Sequence, residues 1–395
     1  MSKNWRSPKI IIGNVAIGGN FFNRNDLVKQ IWNELKKGNS VLLAAPRRVG
    51  KTSVMQYMEK KPIKNYKLIF QNIQGINSAN EFFERIYTLL LNCLNKTDKA
   101  KKWLEKFLKS KSITEISLNG IKFEKNPTDF LAEINTLLRE INNNPEIETI
   151  VLLLDELPEV LFRINQKSKE DAVSILKNLR HWRQQPDMNK KIKFILAGSG
   201  GIHYVVDKIE KRNTDLNDLK AVDFYPLSDS EAHKYIDWAT KGATVTYDTE
   251  LKQHLLNKIQ YFVPYFINLL LEKIDEQAYK ISNSKITKQS IDNAFDMVVK
   301  HSDYFEDWKK RLQNYMPVKD FKFVNDILTH TAHKGHISLQ EIYDKAVEHN
   351  KTTDYMEFIK ELEKDGYIIE VENKYQFVSS FLSSFWKRNS PTFNA

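Results

Sequence analysis

A short loop between an apolar strand and a helix constrains the fold of this chain more than any other feature. The segment 42–53 reads Leu-Leu-Ala-Ala-Pro-Arg-Arg-Val-Gly-Lys-Thr-Ser, and an amphipathic pattern follows it. The backbone N–H groups of such a loop, and of the helix N-terminus after it, point at anionic oxygens. The pattern therefore predicts a phosphate-binding loop in a nucleotide-binding protein. A chance match is the alternative, which the flanking strand and helix disfavour.

Each residue type in the loop has a physical role in binding ATP and Mg²⁺, the ligands we expect. Gly50 lets the backbone approach the phosphates, Lys51 reaches the β- and γ-phosphates, and the Thr52 hydroxyl ligates Mg²⁺. Ala45 stands where the pattern G-x-x-x-x-G-K-[ST] has glycine. Because alanine is the smallest substitute, we expect an intact loop. The expected nucleotide-binding residues here are Ala45, Pro46, Arg47, Arg48, Val49, Gly50, Lys51, Thr52 and Ser53.

Length and composition indicate a globular protein with two or three domains. The chain has 395 residues, of which 41% are apolar and 28% charged. The single cysteine, Cys93, lies in an apolar stretch, so we expect it buried, and a disulfide within one chain is excluded. No apolar run approaches the roughly 20 residues of a membrane span, and the first residues lack the apolar core of a signal peptide. We therefore expect a cytoplasmic protein without a membrane partner.

The positive charge is concentrated at the phosphate-binding end of the chain. The net charge is +10, and residues 1–64 hold 13 Lys and Arg against 3 Asp and Glu. Part of this excess serves the nucleotide. The remainder either faces nucleic acid or an acidic partner, or is an ordinary solvated surface.

Strands alternate with helical patterns over the first 228 residues. This alternation predicts an α/β P-loop core with a parallel sheet covered on both faces, and a helical insertion with a weak hairpin at about 97–125. The predicted strands are Ser40–Pro46, Lys67–Gln74, Thr149–Glu156, Lys193–Ser199 and, more weakly, Leu219–Tyr225. Helices are predicted at Asn80–Asn95, Thr128–Asn142 and Glu170–Gln184.

The remaining sequence predicts an all-α lid at 229–312 and a C-terminal winged helix at 313–395. The lid helices are expected at Glu231–Thr240, Thr249–Lys258, Pro264–Ala278 and Lys288–Val299, with Asp303–Leu312 as a connector. Three helices and a hairpin then follow, which is typical of a winged helix-turn-helix. They are predicted at Phe321–Thr331, Leu339–Glu348, Asp354–Asp365, Tyr367–Val371 and Tyr375–Val378, with Gly366 as a C-cap.

A second motif predicts hydrolysis. The apolar run Ile150–Leu154 is followed directly by Asp155 and Glu156. In parallel α/β sheets, ligands bind at the carboxyl ends of the strands. Asp155 is therefore expected to hold Mg²⁺ through a water, and Glu156 to act as general base on the attacking water. The alternative is that both are surface charges. It is disfavoured because an apolar strand that ends in two carboxylates, about a hundred residues beyond a phosphate-binding loop, is a strong combined signal.

The next strand ends in Gly198-Ser199-Gly200-Gly201. In nucleoside triphosphatases with an extra strand between the two motifs, a polar residue at this place senses the γ-phosphate. Ser199 is the candidate, and a glycine-rich turn without a catalytic part is an equal alternative.

The chain resembles the archaeal-type ATPase family of the AAA+/STAND P-loop NTPases over nearly its whole length. The segments that carry the resemblance are Gly19–Arg24, Pro46–Ser53, Leu154–Pro158, Leu179–Arg183, Ala197–Ser199, Lys364–Ile368 and Tyr375–Phe377. The family implies an ATPase core, a helical lid and a winged helix. It also implies that Phe22 and Arg24 lie near the adenine and ribose.

The resemblance also assigns roles that the sequence leaves open. Val263-Pro264-Tyr265 stands where the family has His-Pro-Tyr, so the phosphate contact of the histidine is lost, and Tyr265 is either a nucleotide ligand or a core residue. An arginine finger supplied in trans would require an oligomer. The candidates are Arg180, Arg183 and Arg212, and for each a solvated arginine or an ion pair is the favoured alternative.

The winged helix does not have the charge of a DNA-binding module. Residues 318–395 hold 10 Lys and Arg against 12 Asp and Glu, and the presumed recognition helix at 354–363 is acidic. We therefore expect an ATP-hydrolysing switch that controls a protein partner or its own assembly, in defence or signalling. The alternatives are a DNA-associated AAA+ ATPase of the origin-recognition or transposition type, and a module that binds nucleotide without turnover.

Overall fold

The chain forms two compact units in the computed structural model. The model describes residues 5–22, 24–95, 103–105, 113–117, 120–123, 129–198, 201–211, 214–301 and 303–393. The sheet unit comprises Arg24–Ala44 and Lys51–Asp223. The helical unit comprises Met1–Asn23, Ala45–Gly50 and Phe224–Ala395.

The sheet unit is built on a five-stranded parallel sheet. The strands described in this unit are Val41–Ala44 (β1), Tyr66–Asn72 (β2), Ile113–Ser117 (β3), Gly120–Phe123 (β4), Thr149–Asp155 (β5), Ile192–Gly198 (β6) and Lys220–Ala221 (β7). The sheet has the order β2-β5-β6-β1-β7, and β3 and β4 form a separate antiparallel hairpin within the predicted insertion. The inner strands β5 and β6 are buried almost throughout, which explains their continuous apolar runs.

The predicted strands agree closely with the sheet. Four of the five lie within two residues of the observed boundaries, while Leu219–Tyr225 is reduced to the two-residue β7. Asp155 ends β5 opposite Asn72 of β2, so the sheet places the predicted catalytic carboxylates at the carboxyl edge of its strands.

Helices cover the sheet, and they include elements that the sequence did not predict. The helices of this unit are Asn25–Lys36 (α1), Lys51–Lys60 (α2), Ala79–Asn95 (α3), Phe130–Asn143 (α4), Leu157–Lys167 (α5), Lys169–Gln184 (α6), Pro186–Asn189 (α7) and Ile202–Glu210 (α8). Ser168 accepts a hydrogen bond from the Asp171 amide and so starts α6 directly after α5. Cys93 is buried in α3, as predicted.

The helical unit contains the predicted lid helices, with one correction. They are Asp229–Ala239 (α9), Thr249–Ile259 (α10), Pro264–Lys280 (α11), Lys288–Lys300 (α12) and Asp303–Tyr315 (α13). The prediction of a connector at Asp303–Leu312 is wrong, because this segment is the helix α13. Phe305, Trp308 and Leu312 are spaced at helical intervals and are all buried, so a narrow apolar face stabilises an otherwise charged helix.

The C-terminal elements form a winged helix, as predicted. They are Val318–Lys334 (α14), Ile337–Ser338 (β8), Leu339–Glu348 (α15), Tyr355–Lys364 (α16), Ile368–Val371 (β9), Lys374–Phe377 (β10) and Ser380–Asn389 (α17). The three strands pair antiparallel in the order β8-β10-β9. The unpredicted α17 places Phe381 on Phe295 of α12, with ring centroids 4.6 Å apart, and so shares a core with the lid helices.

Within the part of the chain that the structure describes, no helix has both the length and the apolar character needed to span a membrane.

Candidate nucleotide-binding site

The predicted phosphate-binding loop connects β1, which ends at Ala44, to α2, which begins at Lys51. Arg48 and Gly50 adopt left-handed backbone conformations, with φ of 65° and 99°. Left-handed residues within a tight turn can direct successive N–H groups into one concavity, which is how an anion-binding nest forms. Ala45 and Val49 are buried and anchor the loop. The small side chain of Ala45 is thus accommodated where the motif has glycine.

The first turn of α2 and the end of β5 bring the two predicted Mg²⁺ residues together. The Thr52 hydroxyl donates a hydrogen bond to Asp155 Oδ2 at 2.5 Å. Lys51 is buried beside them, and its positive charge acts on the Asp155 carboxyl. Residues 103 positions apart therefore meet at one point, and a hydroxyl and a carboxylate are oxygen donors of the kind that Mg²⁺ prefers.

Asp155 has an unusual electrostatic environment. Its side chain is 1% exposed, and burial raises its pKa above the ordinary value because the charged form loses solvation. The Thr52 hydrogen bond and the charge of Lys51 act in the opposite direction. A divalent cation at this carboxyl would stabilise its ionised form, so the donor set fits Mg²⁺.

Glu156 differs from Asp155 in exposure and in backbone conformation. It lies between β5 and α5 with φ of 66°, a left-handed conformation that is costly for a residue with a side chain. Its amide donates to Asp155 Oδ1 at 3.1 Å, and its own side chain is partly exposed. The sharp turn therefore separates a buried carboxylate from a partly exposed one.

The end of β6 packs against the start of α5. A Cβ atom at Gly198 would lie 2.2 Å from Pro158 Cδ, so glycine is needed for this close approach. Ser199, the predicted γ-phosphate sensor, lies outside the described residues.

Phe22 lies in an aromatic cluster of the helical unit. Its ring is 5.1 Å from that of Tyr235 and 5.6 Å from that of Trp238, both on α9. Arg24 belongs to the sheet unit and precedes α1. That Phe22 and Arg24 lie near the adenine base and ribose remains a prediction.

Arg48 and Tyr265, both predicted to contact nucleotide, contact each other. The guanidinium of Arg48 lies 4.7 Å from the centre of the Tyr265 ring, and its Nη2 lies 3.7 Å from Asp307 Oδ2 on α13. Tyr265 is 7% exposed at the start of α11, and burial raises its pKa. Asp307 was missed from the sequence, because it lies in the segment interpreted as a connector and carries no motif.

The described arginine-finger candidates are engaged in ion pairs. Arg180 Nη1 lies 3.2 Å from Asp215 Oδ1. Arg183 is buried, donates to both carboxylate oxygens of Asp218 at 2.7 and 2.8 Å, and also donates to the Asp215 carbonyl. The ion-pair alternative therefore describes both residues, and Arg212 lies outside the described residues.

A solved structure shares the architecture of this chain. The Walker-type ATPase PABY2304 of Pyrococcus abyssi aligns over 96% of this chain and 99% of its own, with 15% identity and a TM-score of 0.61. The chain has the fold of this Walker-type ATPase. The predicted fold class, an α/β P-loop core followed by a helical lid and a winged helix, is confirmed.

Two further similarities are weaker. The ORC2 protein of Aeropyrum pernix, in ADPNP–ADP complexes, matches 93% of both chains with 12% identity and a TM-score of 0.49. Cdc6p of Pyrobaculum aerophilum covers 93% of this chain and 94% of its own, with 11% identity and a TM-score of 0.44. No family model and no curated protein matches the sequence.

Proposed function

We propose that this chain binds ATP with Mg²⁺ at the loop 45–53 and hydrolyses it. The observation that carries the proposal is the hydrogen bond between Thr52 and Asp155 beside the buried Lys51. A helix N-terminus with a lysine and a hydroxyl, meeting a carboxylate at the end of a buried strand, is the arrangement that phosphoryl transfer requires. Phosphates at this loop are stabilised by backbone N–H groups and by Lys51.

Each side chain has a separate part in the proposed hydrolysis. Thr52 and Asp155 would hold Mg²⁺, which neutralises charge on the β- and γ-phosphates. Glu156 is accessible and accepts a proton from the attacking water as general base. Phe22 and Arg24 are proposed to contact the base and ribose.

We further propose that hydrolysis operates a switch that controls a protein partner or self-assembly. The support is the charge of the winged helix, whose 10 basic and 12 acidic residues do not favour DNA phosphates. A DNA-associated ATPase is the second candidate, favoured by the basic excess within residues 1–64.

The test is ATP turnover by the wild type and by three variants. We expect Lys51→Ala to lose nucleotide binding. Glu156→Gln should bind ATP and hydrolyse it about 10²–10⁴-fold more slowly, because the general base is lost. Lys60→Ala, which removes an exposed lysine at the other end of α2, is the control and should match the wild type. No turnover under any condition would overturn the enzymatic proposal.

The same assays distinguish the two roles. Strong stimulation of turnover by duplex DNA would favour the DNA-associated ATPase over the switch. A change in molecular mass on adding ATP, measured by light scattering without DNA, would support self-assembly.

A further inference from the structure

The phosphate-binding loop contacts residues of the helical unit, among them Asp307, which has no part in the nucleotide motifs. Arg48 contacts the Tyr265 ring at 4.7 Å and Asp307 at 3.7 Å, and all three residues belong to the helical unit. A guanidinium over an aromatic face and beside a carboxylate gains from both contacts. The side chain of Arg48 is therefore directed onto α11 and α13.

A second contact joins the loop to the winged helix. Gly366 follows the end of α16 with φ of 71°, and a Cβ atom there would lie 2.6 Å from Pro46 Cγ and 2.8 Å from Pro46 Cβ. The next residue, Tyr367, is buried and donates its hydroxyl hydrogen to the carbonyl of Trp308 at 2.8 Å. Trp308 follows Asp307 on α13, so this helix connects the contact at Arg48 with the contact at Pro46.

The backbone of Arg48 explains why the loop needs such contacts. A non-glycine residue with φ of 65° is strained, and it keeps that conformation only where the surroundings stabilise it. Together with Gly50, this left-handed residue gives the loop the shape of an anion-binding nest. The contacts of Arg48 and Pro46 therefore stabilise the shape that binds phosphate.

We propose that Asp307 and Gly366 are positioning residues that hold the loop in its phosphate-binding conformation, Asp307 through Arg48 and Gly366 through Pro46. The proposal rests on nucleotide binding at this loop, as proposed above. Coupling between two equilibria is reciprocal, so a bound nucleotide in turn stabilises the contacts of α13 and of the turn at Gly366. The winged helix thereby responds to the occupancy of the loop.

Two glycines provide a matched test of the winged-helix contact. Gly335 ends α14 with φ of 85° and has nothing within 4 Å of its Cβ position, whereas Gly366 lies against Pro46. Gly335→Ala and Gly366→Ala impose similar backbone strain, so both should lower Tm. Only Gly366→Ala should weaken ADP binding, by at least fivefold in titration calorimetry. Equal ADP affinity in the two variants would overturn the role of Gly366.

Two aspartates of α13 provide the corresponding test at Arg48. Asp307→Asn should weaken ADP binding about two- to fivefold, as expected for a half-exposed ion pair, and Asp303→Asn, an equal charge change in the first turn, should not. Glycine adopts positive φ without strain. An Arg48→Gly background lacks the side chain through which Asp307 is proposed to act. Asp307→Asn should then have no further effect on ADP binding, and a persisting effect would contradict the proposal.

Amide hydrogen exchange separates failure of this inference from failure of the proposed function. Without nucleotide, Asp307→Asn should accelerate exchange within residues 45–50 at least threefold relative to Asp303→Asn. Equal exchange in the two variants would overturn positioning by Asp307. A wild type that binds no ADP would instead overturn nucleotide binding at the loop, and the exchange comparison would still decide the positioning role.

Discussion

Thr52 and Asp155 form a partly buried hydrogen bond at the proposed Mg²⁺ site. A buried carboxylate needs a partner, and the Thr52 hydroxyl supplies one at 2.5 Å. The same two oxygens are the proposed Mg²⁺ ligands. The stability of the protein without ligand and its affinity for Mg²⁺ are therefore linked at this pair.

Thr52→Val should destabilise the nucleotide-free protein by about 1–3 kcal/mol, because it leaves the buried Asp155 without its hydroxyl donor. Thr52→Ser keeps the hydroxyl and is the matched control. Urea unfolding of both variants measures the difference. Equal midpoints for the two variants would show that this hydrogen bond does not stabilise the fold.

Asp155→Asn should stabilise the protein without Mg²⁺ at neutral pH, by about 1 kcal/mol, as is usual when a functional site loses an unfavourable charge. Because burial raises the native pKa of Asp155, the native state holds this proton more tightly than the unfolded state. The wild-type free energy of unfolding therefore falls as pH rises from about 3.8 through the native pKa, and this contribution is absent from the variant.

Chemical unfolding between pH 4.5 and 8 checks this prediction. The stability advantage of Asp155→Asn should grow with pH and then level off. Asp187→Asn, which removes an exposed partner of Arg139, should track the wild type. An advantage for Asp155→Asn that is independent of pH would contradict the assigned cause.

Helix α17 illustrates how an element without a motif can hold other elements together. Its Phe381 contacts Phe266 of α11, Phe295 of α12 and Phe305 of α13, with ring centroids 5.6, 4.6 and 5.5 Å apart. These rings connect the winged helix to the lid helices within one apolar core. The helix α13, predicted from the sequence as a connector, belongs to the same core.

Phe381→Ala should destabilise the helical unit by about 3–5 kcal/mol, since it removes a fully buried ring from four packed helices. Ile281→Ala, at a side chain that is 70% exposed, should change stability by less than about 0.5 kcal/mol. Thermal unfolding followed by circular dichroism makes the comparison. Similar Tm values for the two variants would contradict this role of α17.

For the whole molecule, the proposed ligand should act as a stabiliser by mass action. At a concentration of 100 times its Kd, Mg²⁺-ADP should add about 2.7 kcal/mol to the stability of the protein that binds it. A thermal shift assay should show a rise in Tm for the wild type and for Lys60→Ala, and none for Lys51→Ala. An equal rise in Lys51→Ala would place nucleotide binding elsewhere.

Local sequence determined the motifs and most of the secondary structure. The loop at 45–53, the buried strand before Asp155 and the alternation of strands with helices all depend on neighbouring residues, so their patterns are visible along the chain. The α/β fold class follows from that alternation. The prediction of a connector at α13 was wrong, because three spaced apolar residues are a weak signal of a helix among many charged residues.

The tertiary structure alone decided which distant residues meet. Contacts such as Thr52 with Asp155, Arg48 with Asp307, and Gly366 with Pro46 depend on strand order and helix packing, which no local pattern encodes. The sequence therefore predicts the phosphate-binding loop of this chain. Long-range packing decided which residues surround that loop, because only folding brings Asp307 and Gly366 to it.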